Sequence, residues 1–159
     1  MGARTGRALL SVYRRLDGYY VIRHALTASD LWVLECSPPV VVPLASTPEA
    51  LGNALREIAA LDAHRVPHPS REEFTRDGNQ RSAALFARAG VRSWRSFERG
   101  SSLASVERTV GTVTVTPLVR DRICPDAWSD DVKRAAEFAA PDALTLGDAI
   151  IAALDGSAP

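Results

Sequence analysis
The residue types that could do chemistry are sparse in this chain, and their spacing argues against the usual reactions. His64 and His68 stand four apart, a spacing that puts two metal ligands on one helical face. Pro67 and Pro69 flank His68, however, and a helix cannot run through them. No third ligand stands at motif spacing, so the two read as loop histidines and no metal is expected. The serines of "RGSSLAS" lack the strand–turn–helix setting of a nucleophile elbow. No phosphate-cradling glycine loop is present. The carboxylates form no pair with distinguishable acid and base roles. The expectation is a protein without catalytic machinery or cofactor.

Aromatic and arginine residues make the other chemical grouping. Tyr13, Arg14, Arg15, Tyr19, Tyr20 and Arg23 crowd one segment, and Trp94, Arg95, Phe97 and Arg99 another. Rings that stack bases beside arginines that follow phosphates would suit single-stranded nucleic acid. The alternative is that the rings alternate into a core while the arginines meet water. Nineteen basic residues balance nineteen acidic ones, so the chain lacks the cation excess on which phosphate binding depends. The charge is unevenly spread: arginines crowd the start, and aspartates dominate after Arg120. Cys36 and Cys124 form no CxxC pair and no disulfide framework, which reads as two reduced thiols in a cytoplasmic protein. No apolar run reaches the length of a membrane span.

The elements that must position these residues follow from periodicity. The 159 residues suit a single domain, with residues 1–8 as a flexible terminus. Strand-like runs flank Asp17-Gly18, a hairpin-turn pair, and "LWVLE" and "PPVVVPL" supply two more. A helix follows, capped at Ser46 or Thr47, with Leu51, Leu55, Ile58 and Leu61 on one face. "AHRVPHPS", residues 63–70, reads as loop. Two short helices are expected next, one ending at Gly78 and one running from Gln80 to Ala89 with Gly90 as its left-handed stop. "VRSWRSFER" reads as a strand.

A turn at Val110-Gly111 then sets a hairpin register of Thr109 with Thr112, Glu107 with Thr114, and Ser105 with Thr116. Ala104, Val106, Val113 and Val115 share its apolar face, and Ser105, Glu107 and the threonines its polar one. A helix from Ser129 to Phe138 and a last helix capped at Thr145 complete the chain. "LGNAL" at Leu51 and "LGDAI" at Leu146 open corresponding helices, which suggests repeat halves, 9–61 and 93–155, joined by a helical segment, 62–92. Strands followed by helices, twice, predict an α+β fold with a mostly antiparallel central sheet and flanking helices.

This order of elements resembles the contact-dependent growth inhibition immunity proteins of the CdiI type. The likeness rests on "LASTPEALGNALREIAAL", "SLASVERTVGTVTVTPLVRD" and "LTLGDAIIAAL", and extends over roughly residues 9 to 155. The resemblance implies a bacterial cytoplasmic inhibitor that binds the C-terminal toxin domain delivered by a sibling cell, commonly by covering a nuclease active site. It also implies a fold similar to a single-stranded nucleic-acid-binding fold of two strand–helix repeats. Inhibitors of nucleases often present acid to a basic site, which here would fall to the C-terminal third or to "SREEFTRD". Charged loops and exposed aromatics are the expected contact residues: Glu72, Glu73 and Asp77, then Trp94, Arg95, Glu107 and Arg108.

Overall fold
Period-two alternation in four long strands builds the centre of the molecule. A computed structural model describes residues 5–35 and 37–156, without the side chains of Phe74, Arg76, Asp77, Gly78 and Asn79. β1 (Ala8–Arg15) pairs antiparallel with β2 (Gly18–Thr27), and β6 (Ser102–Thr109) with β7 (Thr112–Arg120). β1 and β6 lie side by side, antiparallel, and join the two hairpins. β3 (Trp32–Leu34) and β4 (Val40–Val42) share the outer edge of β2, where β5 (Arg65–Val66) adds a parallel bridge. β8 (Trp128–Asp130) and β9 (Ala136–Phe138) share the outer edge of β7. The result is a curled, largely antiparallel sheet with helices on both sides, an α+β fold.

One face of the sheet is sealed by two helices. α1 (Pro48–Ala59) is capped by the Thr47 hydroxyl, which accepts from the Ala50 amide at 3.1 Å, and Pro48 fills the first turn, where its missing N–H costs nothing. α4 (Ala143–Gly156) starts earlier than a Thr145 cap would put it, because the Asp142 carboxylate accepts from the Thr145 amide at 2.7 Å. Leu51, Leu55, Leu146, Ile150 and Leu154 from these helices close over Leu10, Val12, Val21, Ala104, Val106 and Val115.

The pairings of the second half reproduce those of the first. Leu10↔Arg23 has its counterpart in Ala104↔Pro117, and Tyr19↔Val42 in Val113↔Phe138. His24↔Leu34 corresponds to Leu118↔Asp130, and the helix glycine Gly52 to Gly147. The relation is an approximate two-fold whose axis passes between the paired residues Ser11 and Ser105.

The segment between the halves departs from the sequence-based expectation. α2 (Arg71–Ala89) is one helix rather than two. Ser70 and Glu73 form a reciprocal capping box at its start, and Gly90 ends it at φ +67°. An internal glycine costs about 1 kcal/mol relative to alanine, less than interrupting and nucleating a helix anew.

α3 (Trp94–Glu98) is a short helix where a strand was expected. The Ser93 hydroxyl caps it by accepting from the Ser96 amide, and Phe97 drops beneath it into a fully buried site. Residues 128–138 form β8, a turn of 3₁₀ helix and β9 instead of an α-helix, because both edges of that segment find partners on β7. Tertiary pairing overrides the local helix signal there. At the start of the chain, β1 begins at Ala8 and the Arg7 carbonyl accepts from the Ala63 amide at 2.8 Å. Among the described residues no helix is long and apolar enough to cross a membrane.

Candidate partner interface
The second face of the sheet is covered only in part, and the uncovered part is the candidate site. Side chains at odd positions of β1 and β6 and even positions of β2 and β7 point to it. On one half, Tyr13, Tyr20, Ile22 and Leu103 are buried under Leu85 of α2 and Phe97 of α3. Phe97 sits edge-on to Tyr13 and Tyr20, with ring centroids 5.0 Å and 5.4 Å away. Trp94 packs edge-on to Phe86 and Phe97 at 5.4 Å and 5.8 Å. The Tyr13 hydroxyl donates to Glu98 at 3.2 Å, and burial, with that carboxylate beside it, drives the phenol pKa far up.

The other half of the same face, the bare half, is mostly polar, and its central side chains are half-buried where those of the first half are fully buried. Ser11, Ser105 and Thr116 make one cross-strand row. Leu9, half-buried, with Glu107, Thr114 and Glu137 makes the next. The two-fold relation explains the contrast: Glu107 holds the position that corresponds to Tyr13, and Thr114 the one that corresponds to Tyr20. Large rings on one half call for the α2–α3 cover, and small hydroxyls on the other can stay in water. The Arg7 guanidinium lies 2.8 Å from Glu107 and 5.1 Å above the ring of Trp32 on β3. Threonines lose little side-chain entropy when covered, so such a strip suits a polar protein contact.

Ser11 of this strip meets His24 of β2, Oγ to Nε2 at 2.8 Å. That is nucleophile–base distance. Burial, however, lowers the imidazole pKa to about 4, so the ring is neutral at physiological pH and a poor proton acceptor. It serves the sheet as a hydrogen-bonded polar residue. His68 Nδ1 is 2.8 Å from the Ser29 hydroxyl, and the described residues contain no cluster of three or more metal-ligating side chains.

The expected contact residues fall in four places. Glu72 is exposed in the first turn of α2, while Glu73 is spent on the capping box. The side chain of Asp77 lies outside the described residues. Trp94 is 36% exposed, and Arg95 beside it is exposed. Glu107 belongs to the bare half. Arg108 points to the opposite face of the sheet, where Nε donates to the Ala59 carbonyl at 2.6 Å and Nη2 to Asp62. It closes the C-terminal end of α1 and is far from a free surface arginine.

The aromatic–arginine hairpin is internal. Tyr13, Tyr19 and Tyr20 are buried. Arg14 pairs with Asp155, Arg23 with Glu35 at 3.3 Å, and Arg15 stacks on Phe97 at 4.6 Å. These rings have no face left for a base. Sequence reasoning missed Arg88 and Arg92, which are exposed near Arg95 and Arg99. The visible signal was the run "RAGVRSWRSFER", with four arginines against one glutamate.

Comparison with known proteins bears on the fold alone. No family model matches the sequence, and no curated protein matches it. Among solved structures, a protein of unknown function from Neisseria meningitidis aligns with a TM-score of 0.77 at 13% identity, over 98% of each chain. A chain of the CdiA-CT/CdiI toxin and immunity complex from Yersinia pseudotuberculosis aligns with a TM-score of 0.69 at 9% identity. That alignment covers 99% of this chain and 100% of the other.

Proposed function
We propose that this chain is an immunity protein: a non-catalytic inhibitor that binds the C-terminal domain of a contact-dependent growth inhibition toxin in the bacterial cytoplasm. The observation that carries the reading is the end-to-end sharing of fold with a chain from a toxin and immunity complex. The order of sequence elements supports it independently. In this reading the toxin domain is a nuclease, and the inhibitor works by covering its active site. The bare threonine half of the sheet, with Glu107 and Arg7, forms the covering surface. Trp94 and Arg95 on α3 stand at its side.

The inhibitor acts through shape. A stable complex needs about 800 Å² on each partner, and the strip with its α3 wall offers a preformed, hydrogen-bonding platform. Exchange of water for a polar partner there costs little reorganisation, because Arg7, Glu107 and the strand backbone are already fixed. The test is calorimetry and co-expression with the toxin domain encoded beside this gene. The expected result is a tight complex and rescue of growth. Absence of binding at micromolar concentration rules the reading out.

A further inference from the structure
Between Ala87 and Gly100 the chain carries Arg88, Arg92, Arg95 and Arg99 against one carboxylate, Glu98. Glu98 is already engaged: it accepts from Tyr13 at 3.2 Å and from Arg120 at 3.0 Å. The four arginines are exposed and make no ion pair among the described residues. The left-handed turn at Gly90 folds α3 back against α2, and the Phe86–Trp94 contact at 5.4 Å fixes the two together. The result is a fixed corner on which four exposed arginines and the partly exposed Trp94 fall within twelve residues of chain. Eight other arginines, Arg7, Arg14, Arg15, Arg23, Arg65, Arg108, Arg120 and Arg134, face carboxylates, while Arg56, Arg71, Arg81, Arg122 and Lys133, also outside the ion pairs of the described residues, are spread along the chain without such clustering.

We infer that this arginine corner docks an acidic surface of the protein partner, separate from the threonine strip. The inference rests on the immunity reading for the partner's identity. Four uncompensated guanidinium groups repel one another mildly in the free protein, and an acidic partner removes that repulsion while gaining planar, bidentate contacts. Arginine and tryptophan are also the residues that most often dominate binding energy. The chain is neutral overall, so the corner steers by orienting the approach and has no long-range pull on a polyanion. A nucleic acid is disfavoured on a second ground: Trp94 is held edge-on between two rings and presents only part of its surface for stacking. A phosphate-binding cleft is basic, so an acidic dock lies outside it. The corner therefore anchors the toxin domain beside its active site and leaves the threonine strip for the cleft.

The experiment measures association kinetics of the full chain with the toxin domain encoded beside its gene, at low and at physiological salt. Arg95→Glu with Arg99→Glu should slow association by about tenfold at low salt and flatten the salt dependence. Arg95→Gln with Arg99→Gln should give a smaller loss, and Lys133→Glu, away from the corner, none. Circular dichroism melts confirm that these exposed changes leave the fold intact. A complex whose kinetics ignore all the arginine variants overturns the inference and leaves the immunity reading standing. If the toxin domain does not bind at all, the immunity reading fails, and two direct probes still decide the surface. Poly-glutamate should bind the wild-type chain and not the Arg95→Glu, Arg99→Glu variant. A single-stranded oligonucleotide of equal charge that binds more tightly than poly-glutamate overturns the proposal.

Discussion
Gly52 of α1 and Gly147 of α4 each receive the first residue of the opposite helix. A Cβ placed on Gly52 would lie 1.7 Å from the Ala143 carbonyl oxygen, and one on Gly147 would lie 1.8 Å from that of Pro48. The two helices cross at backbone contact, and each glycine is the other's counterpart under the two-fold relation. The contact is reciprocal, so its two ends should fail alike. Gly52→Ala and Gly147→Ala are each expected to lose about 3 kcal/mol, the upper end of overpacking costs, because the clash is with backbone and has no rotamer escape. Once either alanine has pushed the helices apart the second adds little, so the double variant should fall well short of the sum. Urea denaturation of the three variants checks this.

Arg14 and Arg108 close the helices of opposite halves. Arg108, from β6, donates to the Ala59 carbonyl at the end of α1, and Arg14, from β1, donates to the Leu154 carbonyl at the end of α4 at 3.3 Å. Their carboxylate partners differ in exposure: the Asp62 side chain is 23% exposed and that of Asp155 62%. Arg108→Met should therefore cost about 2 kcal/mol, since it removes a charged donor from a half-buried carboxylate and from a helix carbonyl. Arg14→Met should cost under about 1 kcal/mol, as for surface pairs. Thermal melts at matched pH decide between this order and its reverse.

His24 predicts an acid-side loss of stability. Its pKa in the folded chain is about 4, lowered from 6.5 by burial. The unfolded chain therefore binds a proton that the folded chain refuses at pH values between those two. Its contribution is fully present above about pH 6.5 and declines as pH falls toward about 4, by at most ~1.4 kcal/mol per pH unit. His24→Gln keeps a polar partner for Ser11 and should flatten the stability profile in that window. Equal slopes for the variant and the wild type would show that the ring titrates normally.

Thr114 tests the covering surface. It lies in register with Glu107 and Glu137 on the open half of the sheet. Thr114→Arg should leave the melting temperature nearly unchanged, since surface changes are usually within about 0.5 kcal/mol. The same change should lower affinity for the toxin domain by tenfold or more through bulk alone. A variant that binds normally would move the covering surface elsewhere.

The legible parts of the fold were those governed by local rules. The Val110-Gly111 turn predicted the whole β6–β7 register, residue by residue, because a two-residue turn leaves no freedom and one face is buried. The Thr47-Pro48 start of α1 and the Gly90 stop of α2 follow from single-residue geometry. Trp94 and Phe97 misled, since aromatic residues favour strands on average, and the Ser93 cap outweighed them. Trp128 to Phe138 misled in the opposite sense, since only the free edge of β7 makes strands of it. The role of Arg108 in closing α1 was not legible, because a sequence does not display a helix end forty-nine residues away. The arginine corner was partly visible as composition, but which arginines lack partners depends on carboxylates such as Glu35 and Asp155 arriving from elsewhere.

The lone insertion of α2 and α3 has a consequence for stoichiometry. A scaffold with intact two-fold character would offer two equal seats on one face and could bridge two ligands into chains. Here the inserted helices occupy one seat from within, so one remains. In the proposed complex each inhibitor then engages a single toxin molecule, and excess of either component leaves the other's ratio at one to one.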